Sequence, residues 1–312
     1  MGKTIFRVLI FTSSFVLFVS FILLLVRHLN YQLLVEQSGK LLKSPFLLLV
    51  ITLCYLLAFI LRAIGWKLYL NNTISVRVYV SALFYSLFFN HLFPFKAGEV
   101  VRVGVMTHHK EITLDQSIHS VFVMRLLDLC ILGFFSAVGA FWLGVYLDFS
   151  YAIYSVITFV IGCVILIVLY CLKYSFLQKH FMLIKEIFQS SRGLVIFMLV
   201  MLSWVLESVV IYGVVQTSGH QMDLLQATWV NSLTVASSIF QFAPGGFASY
   251  ESVMSFALVQ FKVDWEQAFN LAIITHGYKY LFSYVSGLVA VLLFPIKWSV
   301  IKSWFKKKGA AK

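Results

Sequence analysis

The 312-residue chain is 61% hydrophobic and only 12% charged, with a net charge of +12 and a mean hydropathy of +0.93. This composition excludes an ordinary soluble domain, because it comes with several apolar runs long enough to cross a bilayer. A nucleic-acid role does not follow from the basic charge. The Lys and Arg residues lie mostly between apolar segments and in the tail (Lys297, Lys302, Lys306, Lys307, Lys308, Lys312), which fits membrane topology and anionic headgroups.

In chain order, six crossings are expected at about 5–26, 45–69, 118–145, 151–172, 193–215 and 267–294, each near the ~20 residues a bilayer requires. Lys3 and Arg7 precede the first run, which is too long for a signal-peptide core and reads as a retained helix. The basic tail, 297–312, places the C-terminus in the cytoplasm. Working backwards, 216–228 lies outside, 173–192 inside, the short link at 146–148 outside and 96–111 inside. The link 27–44 falls outside despite Arg27, Lys40 and Lys43. The whole chain, 1–312, reads as a single polytopic membrane domain in a cell membrane.

Two further apolar segments are interrupted at mid-length. One runs into Pro94-Phe95-Lys96-Ala97-Gly98-Glu99, and the other into Pro244-Gly245-Gly246-Phe247-Ala248-Ser249-Tyr250-Glu251. Backbone can leave helical geometry at membrane depth only where protein or a watery cavity satisfies its polar groups. Paired interruptions in corresponding halves are a pointer to a transport site. The topology makes them re-entrant hairpins that dip from opposite faces. Their flanks suggest inverted units over 45–145 and 193–294, with 151–172 as connector. Arg125 follows Glu99 by 26 residues with Asp128 three further on; His276 follows Glu251 by 25 with Lys279 three further on. Residues i and i+3 share a helix face, so each unit offers a polar pair behind its own break.

Ionisable residues inside spans are costly and usually functional. Arg125 and Asp128 either snorkel and pair or serve a site. Glu207, among apolar neighbours, is expected to pair across the bundle with Arg125 or Lys279, the other reading being proton movement. Glu99 and Glu251 each open a half-helix, where a carboxylate caps exposed amides. The same amides, from Gly98, Gly245 and Gly246, could face a phosphate, with Lys96 and Arg102 as the nearest cations.

His91, His108, His109, His119 and His276 show no metal-ligand spacing, so no metal and no cofactor are expected, and His276 alone is retained as a site candidate. The four cysteines (Cys54, Cys130, Cys163, Cys171) sit in apolar runs without C-x-x-C spacing. The 31 Phe residues read as lipid-facing and packing surface. No nucleotide-binding loop or nucleophile elbow is present.

The string Asn90-His91-Leu92-Phe93-Pro94-Phe95-Lys96-Ala97-Gly98-Glu99-Val100-Val101-Arg102, followed by Arg125-Leu126-Leu127-Asp128, resembles the lysylphosphatidylglycerol synthase transmembrane-region family. Trp204, Glu207, Pro244-Gly245-Gly246 and Glu251 extend the resemblance over most of the chain. The chain departs from the family pattern at Ala248, where Gly is common, and at His276, near where Arg is frequent.

The resemblance implies an all-α membrane protein of about six crossings and two re-entrant hairpins. It implies a lipid flippase rather than an enzyme, here without the soluble synthase domain. Its cargo would be a membrane phospholipid, aminoacylated in the full synthases, or a polyprenyl-phosphate lipid. A homo-oligomer or a partner glycosyltransferase or synthase is compatible with it. The expected substrate-binding set is Lys96, Gly98, Glu99, Arg102, Arg125, Asp128, Glu207, Pro244, Gly245, Gly246, Glu251 and His276. A membrane-embedded transferase acting on a lipid-linked headgroup or sugar, or an accessory subunit of such an enzyme, is the alternative.

Overall fold

The computed structural model describes residues 19, 22, 23, 25–93, 96–109, 111–144, 190–237 and 244–296. Every regular element among them is helical: α1 (Tyr31–Leu42), α2 (Pro45–Leu70), α3 (Val76–Leu92), α4 (Ala97–Thr107), α5 (Leu114–Trp142), α6 (Ser191–Thr217), α7 (Leu224–Ser237), a 3-10 turn (Pro244–Gly246), α8 (Ser249–Val259) and α9 (Trp265–Leu293). The expected crossing at 151–172 and the tail at 297–312 lie outside the described residues, as does nearly all of 5–26.

Local chemistry sets the helix ends. Pro45 occupies the first turn of α2, where its missing N–H costs nothing, and Asn71 closes that helix in the left-handed region. Thr113 and Gln116 form a reciprocal capping box at the start of α5. Asp223 and Gln226 do the same ahead of α7: each side chain accepts the other's backbone N–H, at 2.7 and 3.0 Å. Asp264 caps α9 by accepting from the N–H of Glu266.

Three described helices, α2, α5 and α6, are long and apolar enough to cross a membrane. They match the crossings expected at 45–69, 118–145 and 193–215. Helix α9, expected to cross at 267–294, is as long as α5 at 29 residues but is not among the three. Its buried Asn270, Thr275, His276, Lys279, Ser283 and Ser286 dilute its hydropathy, because this helix carries polar groups into the interior. The link expected at 27–44 is mostly helix α1, whose Asn30 cap also donates to Glu266 at the head of α9 at 2.6 Å.

Helices α4 and α8 have 11 residues each. At ~1.5 Å per residue they reach about 16 Å, roughly half a ~30 Å hydrocarbon core. Each folds back on the helix before its break: α4 on α3, and α8 on α7.

The most extensive packing is between α2 and α6. They run antiparallel, since Gly65 faces Val200 and Ile196 whereas Gly213 faces Ile51 and Leu47. Around this pair, α3 packs on α9, α5 on α7 and α8 on α9. The 3-10 turn rests against α3, so the second break comes to the first hairpin.

Candidate functional site

Both breaks open onto one cavity of about 150 Å³, lined by residues of α2 to α9 together with the second break. Eight of the residues expected from the sequence line it: Lys96, Glu99, Arg102, Arg125, Asp128, Glu207, Gly245 and His276. The chain brings them together from positions almost two hundred residues apart.

At the first break, Lys96 takes a left-handed conformation (φ 49°) as the residue before α4. Its ammonium has no ion-pair partner among the described residues. Glu99, in the first turn of α4, meets Arg125 at 3.3 Å and Arg102 at 3.7 Å. Arg125 also meets Asp128, one turn on, at 3.5 Å, and Asp128 accepts the indole N–H of Trp204 at 3.0 Å. Arg102 is only 4% exposed, lies over the face of Trp66, and leaves its Nε without a hydrogen-bond partner.

The second break has a parallel layout. Glu251, in the first turn of α8, lies 2.6 Å from Nδ1 of His276. Nε2 of the same ring is 3.1 Å from the carbonyl oxygen of Gly245, a group that can only accept. That ring therefore donates from Nε2, and one proton is shared between Nδ1 and Glu251. Wherever this proton rests, the pair carries no net charge. Lys279, one turn beyond His276, donates to Glu207 at 2.9 Å and to Asn231 at 3.0 Å. The spacings of 26 and 25 residues are thus real contacts, and the i+3 partners Asp128 and Lys279 both turn to α6.

Glu207 is 4% exposed and fully engaged. The expected pairing with Lys279 is present; its other partner is Arg62 rather than Arg125. Arg62 Nη2 donates to Glu207 at 2.7 Å, Nε donates to Ser203 at 3.0 Å, and the guanidinium lies 3.8 Å from the centroid of Trp204. Sequence reasoning missed Arg62. A signal was available, since it stands inside the 45–69 run and the rule applied to Glu207 covers it equally. Tyr250 and Tyr55, also absent from the expected set, lie beneath the ammonium of Lys279 with centroids at 5.4 and 5.8 Å.

Three expected residues, Gly98, Gly246 and Glu251, do not line the cavity. The amide of Gly98 is committed to Asn90 Oδ1 at 2.9 Å, so it does not face a ligand. A Cβ there would run into the carbonyl of Ser86, and glycine is what lets α4 lie on α3. Gly246 is buried in the turn, and its carbonyl accepts from Ser249. Glu251 sits behind His276, and Pro244 heads the turn. Gly245 has φ 64°, and a Cβ there would strike Tyr280. No group of three or more His, Cys, Asp or Glu among the described residues is arranged to hold a metal ion.

The chemistry of this cavity is that of fixed charge inside an apolar protein, with two helix breaks that present it. The model of the lysylphosphatidylglycerol synthase TM region matches residues 5–287. The chain belongs to that family. The lysylphosphatidylglycerol synthase TM region is a membrane domain linked to lipid modification or translocation. Its match spans both breaks and every charged residue of the cavity. No curated protein and no solved structure shows a significant match to the chain.

Proposed function

We propose that this protein is a transporter that moves a phosphate-bearing lipid across the cell membrane, the headgroup passing between the two broken hairpins while the acyl chains stay in lipid. One observation carries the reading. Lys96 and Gly245, from breaks about 150 residues apart, line a single cavity with Arg102, Arg125 and Lys279. Cations at membrane depth are expensive, about 2.5–3.5 kcal/mol each by insertion scales, so a cluster of them implies an anionic cargo.

The half-length α4 and α8 suit re-entrant hairpins that enter from opposite faces, with the C-terminus cytoplasmic. The repeated Glu99–Arg125 and Glu251–His276 contacts suit the inverted units 45–145 and 193–294. Cargo of this class includes membrane phospholipids, aminoacylated or not, and polyprenyl-phosphate lipids. Transport is favoured over catalysis because Glu99, Asp128 and Glu207 are each engaged by a cation, which is poor preparation for a general base.

The test is reconstitution of the full chain into proteoliposomes with acyl-labelled phosphatidylglycerol, followed by quenching of label exposed on one leaflet. Wild type should move the lipid, and Glu99→Gln and Arg125→Ala should each abolish movement while remaining folded. Wild-type rates in both variants would remove the site assignment. Turnover of a lipid-linked donor by the purified protein would replace transport with a transferase.

A further inference from the structure

Charge balance in the cavity says more about the headgroup than that it contains phosphate. Among the described residues, five cationic side chains line the cavity (Arg62, Lys96, Arg102, Arg125, Lys279) against three carboxylates (Glu99, Asp128, Glu207). The shared proton of Glu251 and His276 makes that pair neutral, so it does not alter the balance.

The surplus is distributed unevenly. Glu99 and Asp128 offset Arg102 and Arg125 near the first break. Glu207 offsets one of Arg62 and Lys279, and the faces of Trp204, Tyr55 and Tyr250 soften the other. Lys96 faces the same cavity with no ion-pair partner among the described residues, and Glu99 and Asp128, already held by Arg102 and Arg125, act on it only from a longer range. In the same cavity, the buried Arg102 retains an unpartnered Nε. Uncompensated buried charge is strongly unfavourable, so a cavity with two surplus positive charges is complementary to an anion carrying two negative ones.

We propose that this cavity selects a phosphate head carrying two or more negative charges, a phosphomonoester or a diphosphate, over singly charged and zwitterionic phosphodiesters, and that Lys96 is the residue that discriminates. This deepens the transport reading and rests on it for the identity of the cavity as the cargo site. The binding part can be tested without transport.

The experiment titrates detergent-purified full chain at pH 7 with dihexanoyl phosphatidic acid, geranyl diphosphate, dihexanoyl phosphatidylglycerol and dihexanoyl phosphatidylcholine, and reads intrinsic tryptophan fluorescence. Phosphatidic acid or geranyl diphosphate should bind at least roughly tenfold more tightly than phosphatidylglycerol, and phosphatidylcholine most weakly. The stronger of the first two identifies the phosphomonoester or the diphosphate. Lys96→Gln should weaken phosphatidic acid and geranyl diphosphate roughly tenfold and phosphatidylglycerol only slightly, and Lys96→Arg should restore selectivity. An unchanged melting temperature for both variants certifies the fold.

Equal affinity for all four ligands would overturn the proposal. A uniform loss across ligands in Lys96→Gln would overturn the role of Lys96. Selective binding without lipid movement in vesicles would leave this inference standing and remove translocation instead.

Discussion

Arg62 Nη2 lies 2.7 Å from Glu207 Oε2, and the two side chains are 10% and 6% exposed. This contact ties the middle of α2 to the middle of α6, and Lys279 brings α9 to the same carboxylate. Three helices are thereby joined at one buried anion. Removing one partner of such a group leaves an unpaired buried charge, which costs more than the intact network contributes. Arg62→Met should therefore lower stability by about 3–5 kcal/mol, read as a fall in melting temperature in detergent. The double variant Arg62→Met with Glu207→Leu should recover part of that loss. A double variant as unstable as the sum of its singles would mean that the contact is not the cause.

Ala248 has φ 70° and ψ −49°, a strained region for a residue with a Cβ, and it immediately precedes α8. The family resemblance marked this position as a departure from Gly, and the backbone here takes a conformation that suits glycine. Ala248→Gly should relieve strain and raise stability by about 1 kcal/mol net of the added chain entropy, whereas Ala248→Val should lower it. Melting temperatures of the three proteins in one detergent decide this.

His276 holds the second break in place through two contacts, one to Glu251 and one to the carbonyl of Gly245. His276→Ala leaves Glu251 and the carbonyl of Gly245 without their buried hydrogen-bond partner, at a cost of about 1–3 kcal/mol for each group left unsatisfied. His276→Arg supplies several donors and should keep stability nearer wild type than Ala does. Protease cleavage within 244–248 should accelerate in the Ala variant and much less in the Arg variant.

Gly98 lies so close to Ser86 that any side chain must push α4 off α3. Gly98→Ala should cost about 1–3 kcal/mol by overpacking and should displace Glu99 and Arg102 together. The measurable consequence is a lower melting temperature along with reduced ligand quenching of Trp204 or Trp66. Asn90→Asp, which keeps an acceptor for the Gly98 amide, should be milder than Asn90→Leu.

Much of the candidate site was legible because ionisable residues stand out in apolar sequence. Glu99, Arg125, Asp128 and Glu207 needed no structure to be singled out. The regular spacing pointed to a polar pair behind each break, and the structure sets Glu99 against Arg125 and Glu251 against His276. Gly98 misled because glycine after a break serves two purposes, amide presentation and close helix approach. Only the position of Ser86 separates them.

By itself the sequence determined that the chain is a helical membrane protein, that two apolar segments are interrupted by Pro/Gly, and that a few charges stand within apolar runs. These follow from hydropathy and local backbone chemistry, which act over a few residues. The tertiary structure decided partners. It assigned Glu207 to Arg62 and Lys279, left Lys96 facing the cavity, and committed the Gly98 amide to Asn90. Partner choice depends on which helix faces meet across long stretches of chain, and many pairings of like residues satisfy the same pattern of charge. Packing of α2, α6 and α9 around one carboxylate selects a single pairing among them.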